Sequence, residues 1–432
     1  MEKNILKQII VSNEEYISGD VDNIIPRENI NFPEMLRKVI IFYGVRRSGK
    51  TSILYDFFKK HLKNSLYIDF EDERLSDFKS NDFEMIKEAY LELNPHMAGK
   101  ELYFLLDEIQ NINGWEKYVR RITEREKIKV LVTGSSSRIR PREINTSLRG
   151  RAWSIEVTPF NFRESLLAEN MNISDNKLLY SSLKNKIKEI MSKYLKWGGF
   201  PEVLLLEKDF ERKKILKEYI DAMYFKDLVE KYNINNIRLM TSLMESLFAS
   251  FSMKFSLFSF YKKNKQEFSF SKDLLYRYYR YFLDSMLVYE VRKFSDSMHA
   301  RLRNPAKIYL VDIGLCKKLT SDDYGRTLEN IIFLELRRKN SEIYYFEDTR
   351  ECDFIIKKTT GEFIPYQVTY ELTAGNEERE LGGLILAAKR LKIKSGQVIT
   401  YDQESHKKIE GIDIRIIPSW KWLSEVHIKN EK

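Results

Sequence analysis

The stretch GVRRSGKT, Gly44 to Thr51, follows the apolar run VIIFY (39–43) and precedes a segment with helical periodicity. It fits the pattern G-x-x-x-x-G-K-[ST], in which glycines allow a tight loop whose backbone N–H groups point at phosphate oxygens. We expect Lys50 to reach the outer phosphates of a nucleotide and Thr51 to hold Mg2+ through its hydroxyl. A simple surface loop is the alternative, which the strand–loop–helix context disfavours. The predicted phosphate-binding residues are Gly44, Val45, Arg46, Arg47, Ser48, Gly49, Lys50, Thr51 and Ser52.

Two acids end the apolar run ELYFLLDE (101–108). Ligands of parallel sheets bind at the carboxyl ends of the strands, so this pair is expected beside the loop. Asp107 is predicted to hold hydrated Mg2+, and Glu108 to orient or deprotonate the attacking water. Together with the loop, the pair indicates nucleotide hydrolysis.

Two further segments carry candidate catalytic groups. The run IKVLVTGSSS (128–137) ends in serines, and Ser135 or Ser136 is predicted to contact the terminal phosphate or its water; turn chemistry is the alternative. The segment SLRGR (147–151) carries Arg149 and Arg151, which could reach the nucleotide of a neighbouring subunit as an arginine finger. Such a finger implies a homo-oligomer, whereas the alternative is a pair of surface arginines.

The periodicity predicts an α/β fold with a parallel sheet covered on both faces. Strand-like runs at 39–43, 65–70, 101–108, 128–135 and 151–157 alternate with helical stretches that include 50–63, 81–92 and 115–126. From about 160 to 232 the pattern is helical, with one helix capped by Asp175 and stopped by Gly198 and Gly199. Short helices and a strand-like pair near 287–311 follow, and an α/β pattern restarts at 326.

Composition sets the class of protein. The 432 residues are too many for a single core, so several domains are expected. No apolar run reaches the ~18 residues of a membrane span, and the N-terminus lacks the apolar core of a signal peptide, so neither is expected. The 2 cysteines and 5 histidines make no zinc spacing, and we expect a reduced, cytoplasmic chain. The net charge of +9 permits a nucleic-acid partner without demanding one.

Six segments in order resemble the AAA-type ATPases of archaea and bacteria that carry a winged helix and a C-terminal domain related to restriction-endonuclease-like nucleases. They are YGVRRSGKTS (43–52), YFLLDEIQNINGWE (103–116), LVTGSSS (131–137), TSLRGR (146–151), FNFRE (160–164) and WGGFPE (197–202). The resemblance implies an ATP- and Mg2+-binding core with strand order 5-1-4-3-2, followed by a helical lid that contains GGFPE. The lack of an Asn-Lys-x-Asp motif also favours ATP over GTP.

The resemblance and the pattern together predict five segments. These are an N-terminal segment (1–35), the P-loop core (36–165), the lid (166–235), a winged helix-turn-helix (236–318) and a nuclease-like α/β domain (319–432).

A DNA contact is predicted in the winged helix. In the helix around 272–286, Asp273–Arg277 and Arg280–Asp284 are spaced as i,i+4 ion pairs, so that face is interpreted as solvated rather than DNA-reading. The next segment, VRKFSDSMHARLRNPAKIY (291–309), is strongly basic. A basic hairpin beside a helix-turn-helix would contact phosphate, and domain packing is the alternative. The predicted contacts are Arg301, Arg303 and Lys307.

The hairpin ECDFIIKKTTGEFIPYQVTYEL (351–372), with the preceding helical segment LENIIFLELRR (328–338), resembles the core of a metal-dependent nuclease. Glu329 of the helix and Asp353 of the hairpin would be the acids, and Gln367 a weaker oxygen ligand. The family's lysine position holds Thr369, which cannot supply an ammonium group. Glu371 and Lys357 are near in sequence but occupy other positions. We therefore expect a degenerate, metal-capable site with no ammonium group at its centre and no cleavage. An active nuclease and a purely structural hairpin are the alternatives.

These features predict an ATPase that switches a winged-helix and nuclease-like half. The alternatives are an ATP-dependent DNA nuclease and a scaffold that the nucleotide merely locks.

Overall fold

The computed structural model describes residues 1–432 except 29, 33–36, 127, 136–138, 140, 172–182, 296, 317–322, 340–341 and 425–432. The chain divides into two compact units, Met1–Pro159 and Phe160–Lys432. Each unit is built on its own sheet, one of five strands and one of nine.

Five parallel strands form the sheet of the first unit. They are β1 (Val39–Gly44), β2 (Ser65–Asp69), β3 (Leu102–Asp107), β4 (Ile128–Ser135) and β5 (Ala152–Glu156). Their order is β2-β3-β4-β1-β5, and every neighbouring pair is parallel. This is the predicted order 5-1-4-3-2 taken from the other edge, so that prediction is confirmed. The strands are apolar along their length because helices cover both faces.

The helices of the first unit are α1 (Lys3–Gly19), α2 (Lys50–Lys60), α3 (Phe83–Leu93), α4 (Trp115–Arg125) and α5 (Pro141–Ser147). Helices α2, α3 and α4 begin and end within three residues of the predicted bounds. Helix α1 was not predicted. Its residues Leu6, Ile9 and Ile10 are buried in the core of the sheet, while Lys3 and Lys7 pair with Glu92 of α3. The mixed charges of the N-terminus therefore belong to one exposed helix face.

The second unit contains eleven α-helices and nine strands among its described residues. The helices are α6 (Phe162–Ala168), α7 (Lys184–Trp197), α8 (Pro201–Leu205), α9 (Asp209–Ala222), α10 (Ile237–Ala249), α11 (Leu257–Phe268), α12 (Lys272–Asp284), α13 (Met298–Arg303), α14 (Tyr324–Arg338), α15 (Glu377–Arg390) and α16 (Ser419–Ser424). The strands are β6 (Met253–Phe255), β7 (Val288–Lys293), β8 (Ala306–Leu310), β9 (Glu342–Glu347), β10 (Glu351–Lys357), β11 (Phe363–Val368), β12 (Ser395–Thr400), β13 (Ser405–Ile409) and β14 (Ile412–Pro418).

One mixed sheet runs through the second unit in the order β13-β14-β12-β11-β10-β9-β7-β8-β6. Strand β8 pairs antiparallel with β6 and with β7, and β7 pairs parallel with β9. The strand-like pair predicted near 287–311 is β7 and β8. Because β7 joins β9, the sheet continues across residue 318, where the sequence predicted a boundary between two domains.

Helix α7 ends where the glycines predicted it. Its C-cap is Gly198, with φ +78°, and a Cβ at this position would lie 1.8 Å from Asp312 Oδ1. The tight approach requires glycine. The predicted cap, Asp175, lies outside the described residues.

Candidate functional site

The loop from Gly44 to Thr51 connects the end of β1 to the start of α2. Arg47 and Gly49 adopt left-handed φ values of +63° and +90°, and turns with such residues can form anion-binding concavities of successive backbone N–H groups. A Cβ on Gly44 would lie 2.0 Å from the carbonyl oxygen of Val157. Glycine is therefore required where the loop leaves the sheet, as the motif predicts.

Lys50 lies buried across this loop. Its Nζ donates to the carbonyl oxygens of Gly44 and Val45 at 3.3 and 2.9 Å. Ser48 Oγ is buried and has no hydrogen-bond partner among the described residues. A buried polar atom of this kind is costly unless a ligand satisfies it. The loop thus fits a phosphate group, with an ammonium and a hydroxyl both placed against its backbone.

The N-terminal segment contributes a residue that the sequence did not indicate. Arg27 donates from Nη1 to Ser48 O at 2.6 Å and from Nη2 to Thr158 O at 2.7 Å. One guanidinium therefore ties the loop backbone to the segment after β5. An isolated arginine before the first strand carries no motif, so only the fold identifies it.

Asp107 ends β3 beside the start of α2. Its carboxylate accepts hydrogen bonds from Tyr67 at 2.8 Å and from Thr133, and the hydroxyl of Thr51 also acts to lower its pKa. Burial, with the negative charge of Glu108, raises the pKa of Asp107 above its ordinary value. The structure brings Thr51 and Asp107 together, as expected for a pair that holds Mg2+.

Glu108 is half-buried and has a left-handed backbone, with φ +47°. Its N–H donates to Thr133 Oγ1 at 3.0 Å, and its carboxylate accepts from Gln110 Nε2. Thr133 therefore contacts both acids, one through its hydroxyl proton and one through its oxygen. The sequence prediction missed Thr133, although a hydroxyl within the apolar run KVLVTG was a usable signal.

Asp69 adds a third carboxylate at this edge. It ends β2 in register with Asp107. Burial, assisted by the charge of Asp107, raises the pKa of Asp69 to about 7. Its place at a strand end was the signal that the sequence analysis did not use.

The remaining predicted residues of this site divide into two groups. Ser135 is buried at the end of β4, in register with Gly44, whereas Ser136 lies outside the described residues. Arg149 and Arg151 are exposed and precede β5, at the amino edge of the sheet. Arg151 Nε pairs with Glu124 at 2.6 Å. The two arginines thus lie at the edge opposite the loop of their own chain.

A second cluster lies in the second unit, where the predicted acids of the nuclease-like hairpin converge. Lys307 Nζ lies 3.0 Å from Glu329 Oε1, 2.8 Å from Asp353 Oδ1 and 2.6 Å from Glu351 Oε1. Tyr309 OH donates to Glu329 Oε1 at 2.6 Å. The prediction that no ammonium lies at this point is wrong, because β8 supplies one from outside the hairpin.

Electrostatics of this cluster follow from its burial. Burial raises the pKa of Glu329 above its ordinary value, with the negative charge of Asp353 acting in the same direction and Lys307 opposing both. Burial alone would lower the pKa of Lys307, but Asp353 and Glu329 raise it well above its ordinary value. The lysine is therefore charged throughout the ordinary pH range.

The amide and hydroxyl of the hairpin are turned to other partners. Gln367 Oε1 accepts from Asp353 N at 3.2 Å, and Gln367 Nε2 donates to Glu380 at 2.6 Å. Thr369 is buried just beyond β11 and donates to Glu371 O at 3.2 Å. Gln367 therefore lies beside Asp353, but both ends of its amide are already hydrogen-bonded to protein groups.

Neither sequence neighbour compensates for the missing lysine. Glu371 is exposed, and Lys357, at the end of β10, lies 3.6 Å from Glu342.

The predicted basic DNA contacts do not form one surface. Lys307 is buried among carboxylates, so its assignment to a phosphate contact is wrong. Arg301 Nε donates to Ser295 O at 2.5 Å, and Arg303 is exposed. On α12, Arg280 lies 3.9 Å from Asp284, and this contact is one of the two predicted ion pairs. Among the described residues, no helix has the length and apolarity needed to cross a membrane.

Comparisons with known proteins identify the class of domain in the first unit. A family model described as an AAA domain matches residues 36–166. Two domains of unknown function, DUF8612 and DUF4143, match residues 188–324 and 324–422.

An uncharacterized Methanocaldococcus jannaschii protein, MJ1544, is 36% identical over 401 residues, which cover 89% of this chain and 88% of that protein. An uncharacterized Haemophilus influenzae protein is 25% identical over 396 residues, covering 88% of this chain and 93% of its own. A solved structure, the S. cerevisiae Hsp104–ADP complex, is 15% identical, and the match covers 76% of this chain and 44% of that chain with a TM-score of 0.31. The AAA-type resemblance is therefore confirmed for the first unit, while the winged helix and the nuclease-like domain stay predictions. The chain contains an AAA domain and belongs to the same family as the M. jannaschii protein MJ1544.

Proposed function

We propose that this protein binds and hydrolyses ATP in its first unit and that the nucleotide state switches its second unit. The buried loop that Lys50 spans, with Nζ 3.3 and 2.9 Å from the carbonyl oxygens of Gly44 and Val45, carries the proposal. Thr51 lies in the first turn of α2, directly after this loop, and its hydroxyl acts to lower the pKa of Asp107 at the end of β3. AAA domains typically use ATP with Mg2+, and a hydroxyl beside a carboxylate is the pair that such sites use for the metal.

Each side chain has a distinct task in this proposal. Lys50 exchanges its two backbone carbonyl partners for phosphate oxygens. Thr51 and Asp107 hold Mg2+, which supplies charge neutralisation on the phosphates when bound. Glu108 positions the attacking water and accepts its proton, once its carboxylate leaves Gln110. The buried Ser48 hydroxyl gains the acceptor that it lacks in the protein alone.

The arginine finger is proposed to act between subunits. Arg149 and Arg151 precede β5, whereas the loop follows β1, and the two strands are parallel. A guanidinium at the amino edge cannot serve the nucleotide of its own chain at the carboxyl edge. The finger therefore requires a homo-oligomer in which one subunit's amino edge faces the next subunit's nucleotide.

The test measures nucleotide binding and turnover separately in two variants. Lys50→Ala should weaken ATP binding, because the outer phosphates lose their ammonium. Glu108→Gln should keep ATP bound but lower turnover by at least about 100-fold, since a general base typically contributes that much. Glu73→Gln, an exposed acid that follows β2, is the matched control and should hydrolyse ATP at the parental rate.

Two outcomes would contradict the proposal. Parental turnover by Glu108→Gln would remove Glu108 from its role. Tight ATP binding without any turnover by the unaltered protein would favour the scaffold that the nucleotide merely locks.

Nucleic acid is a second candidate partner, supported by the surface of α11 and α12. Helices α10, α11 and α12 accompany the antiparallel strands β6, β7 and β8, an arrangement that suits the winged helix suggested by resemblance. Phe258 and Tyr276 are about half exposed there. Lys262 and Lys272 hold their ammonium groups 4.6 and 5.3 Å from the centre of the Phe258 ring, and Lys263 and Lys265 of α11 are also exposed. Cations interleaved with exposed aromatic rings are suited to phosphates and bases.

A further inference from the structure

We propose that the second unit contains a latent divalent-cation site in which the ammonium of Lys307 takes the place of the metal. The site is formed by Glu329, Glu351 and Asp353, and it is independent of the nucleotide site. This site contains three acids and Lys307, whereas the sequence predicted only Glu329 and Asp353 as its acids.

The geometry around Lys307 is that of a bound cation. Its Nζ contacts one oxygen from each of three carboxylates, at 3.0 Å (Glu329), 2.6 Å (Glu351) and 2.8 Å (Asp353). An ammonium has three N–H donors, of which two form hydrogen bonds to Glu329 and Asp353, and the oxygen of Glu351 completes the ion pairs around it. The side chain is 3% exposed. Such complete enclosure favours a resident counterion over a group that reaches out to a ligand.

The three carboxylates come from distant parts of the chain. Glu329 lies on α14, whereas Glu351 and Asp353 lie on β10. Burying a carboxylate without a partner is costly, and three together would repel one another strongly. The fold must therefore place a cation between them, and oxygen ligands of this type suit hard divalent cations.

A cleft of about 480 Å3 leads to this cluster, with Glu329, Glu351 and Asp353 in its lining. An ion from solvent could therefore reach the oxygens if the ammonium were absent. As the side chains stand, the described residues include no group of three His, Cys, Asp or Glu side chains arranged to hold a metal. A divalent cation beside Lys307 would meet like-charge repulsion at short range.

The chemical consequence concerns cleavage of DNA. Metal-assisted hydrolysis needs a cation with an open position for water or substrate. Lys307 fills the cation position and offers no open coordination site. The unaltered protein should therefore not cut DNA in Mg2+ or Mn2+, with or without ATP.

The test measures Mn2+ binding without nucleotide, by electron paramagnetic resonance of the free ion. Lys307→Met keeps the length of the side chain and removes its charge. It should gain one Mn2+ site per chain, at least about tenfold tighter than any site of the unaltered protein, because three carboxylates then face the cavity. Adding Asp353→Asn to Lys307→Met should abolish that site.

Lys254 offers a matched control. Its Nζ lies 2.8 Å from Glu351 and 2.5 Å from Glu347, but no contact joins it to Glu329 or Asp353. Lys254→Met removes the same charge from the same neighbourhood and should gain no Mn2+ site. If both lysine variants gain a site, general negative charge rather than a latent site is responsible, and the proposal fails.

Folding of Lys307→Met gives an independent readout. The variant should be less stable than the unaltered protein in chelator, and added Mn2+ should raise its thermal midpoint while leaving that of the Lys254→Met control unchanged. A folded Lys307→Met that binds no Mn2+ would overturn the proposal, as would failure to refold with and without the metal. So would a tight Mn2+ site in the unaltered protein that Asp353→Asn removes. None of these measurements depends on ATP turnover, so failure here is distinct from failure of the ATPase proposal.

Discussion

At the scale of single residues, Thr133 links the two acids of the proposed nucleotide site through one hydrogen bond to each. Thr133→Val keeps the branched shape of the side chain and removes its hydroxyl. Asp107 then loses a hydrogen bond that lowers its pKa, so the carboxylate becomes easier to protonate and a poorer Mg2+ ligand. A hydrogen bond to a charged group is worth roughly 1.5–3 kcal/mol, so turnover at limiting Mg2+ should fall about 10- to 100-fold. Steady-state ATP hydrolysis across a Mg2+ titration measures this.

A buried threonine of α4 serves as the control for that change. Thr123 is buried, and its Oγ1 has no hydrogen-bond partner among the described residues. Thr123→Val should leave turnover unchanged, while Thr133→Ser should restore most of the loss. If Thr133→Val and Thr123→Val behave alike, the hydroxyl of Thr133 has no part in the site.

The residues of the loop from Gly44 to Thr51 were predictable from the sequence, because the spacing of the glycines and the lysine along the chain determines the local shape of the loop. Lys50 follows Gly49 in a loop whose shape is local, and Asp107 ends a strand beside it. Thr133 and Lys307 were not predictable in the same way, since their partners are distant in sequence. For Lys307 a signal existed: a lysine within AKIYLV, where every neighbour is apolar, must be paired if that strand is buried.

At the scale of elements, the parallel sheet of the first unit was predictable strand by strand. Short apolar runs bounded by polar residues are typical of buried strands, and such runs have few other structural interpretations. The pairing of β7 with β9 was not predictable, because periodicity identifies strands but does not say which distant edges meet. The sequence therefore located the strands β7 and β8 near 287–311, but it did not predict that β7 pairs with β9.

Asp312 makes a pH-dependent connection between two elements of the second unit. It follows β8, and its Oδ2 accepts from Gly199 N at 2.7 Å, just after α7, while Oδ1 accepts from Gly314 N at 2.8 Å. Burial raises the pKa of Asp312 from its ordinary value to about 7. Between the unfolded pKa of about 4 and this value, the folded protein binds the proton more tightly than the unfolded chain does. This contribution to stability is therefore lost as the pH rises from about 4 to about 7.

Asp312→Asn should remove that dependence. The free energy of unfolding of the unaltered protein should fall relative to the variant by up to about 1.4 kcal/mol per pH unit within this window. Urea unfolding at several pH values measures the difference, and Asp221→Asn, an exposed acid on α9, is the control. Parallel pH profiles for the unaltered protein and Asp312→Asn would mean that Asp312 keeps an ordinary pKa.

At the scale of the whole molecule, the net charge of +9 becomes informative only when its distribution is known. The sequence assigned the DNA contact to Arg301, Arg303 and Lys307, one of which is buried. The exposed lysines of α11 lie instead beside an exposed ring, and Lys262 Nζ is 4.6 Å from the centre of Phe258. A run of basic residues in the sequence therefore does not show where a basic surface lies on the folded protein.

This distribution leads to a prediction about salt dependence. Changing Lys262, Lys263 and Lys265 together to Ala should weaken duplex-DNA binding and flatten the plot of log affinity against log salt. Each lost phosphate contact lowers that slope by about 0.9, so the loss is up to about 2.7 for three contacts. Fluorescence anisotropy at several salt concentrations measures the slope. The matched control changes Lys213, Lys214 and Lys217, three exposed lysines of α9, and removes the same net charge. Equal flattening in both triple variants would indicate non-specific attraction to the whole molecule, whereas an unchanged slope in the α11 variant would exclude that face as the DNA contact.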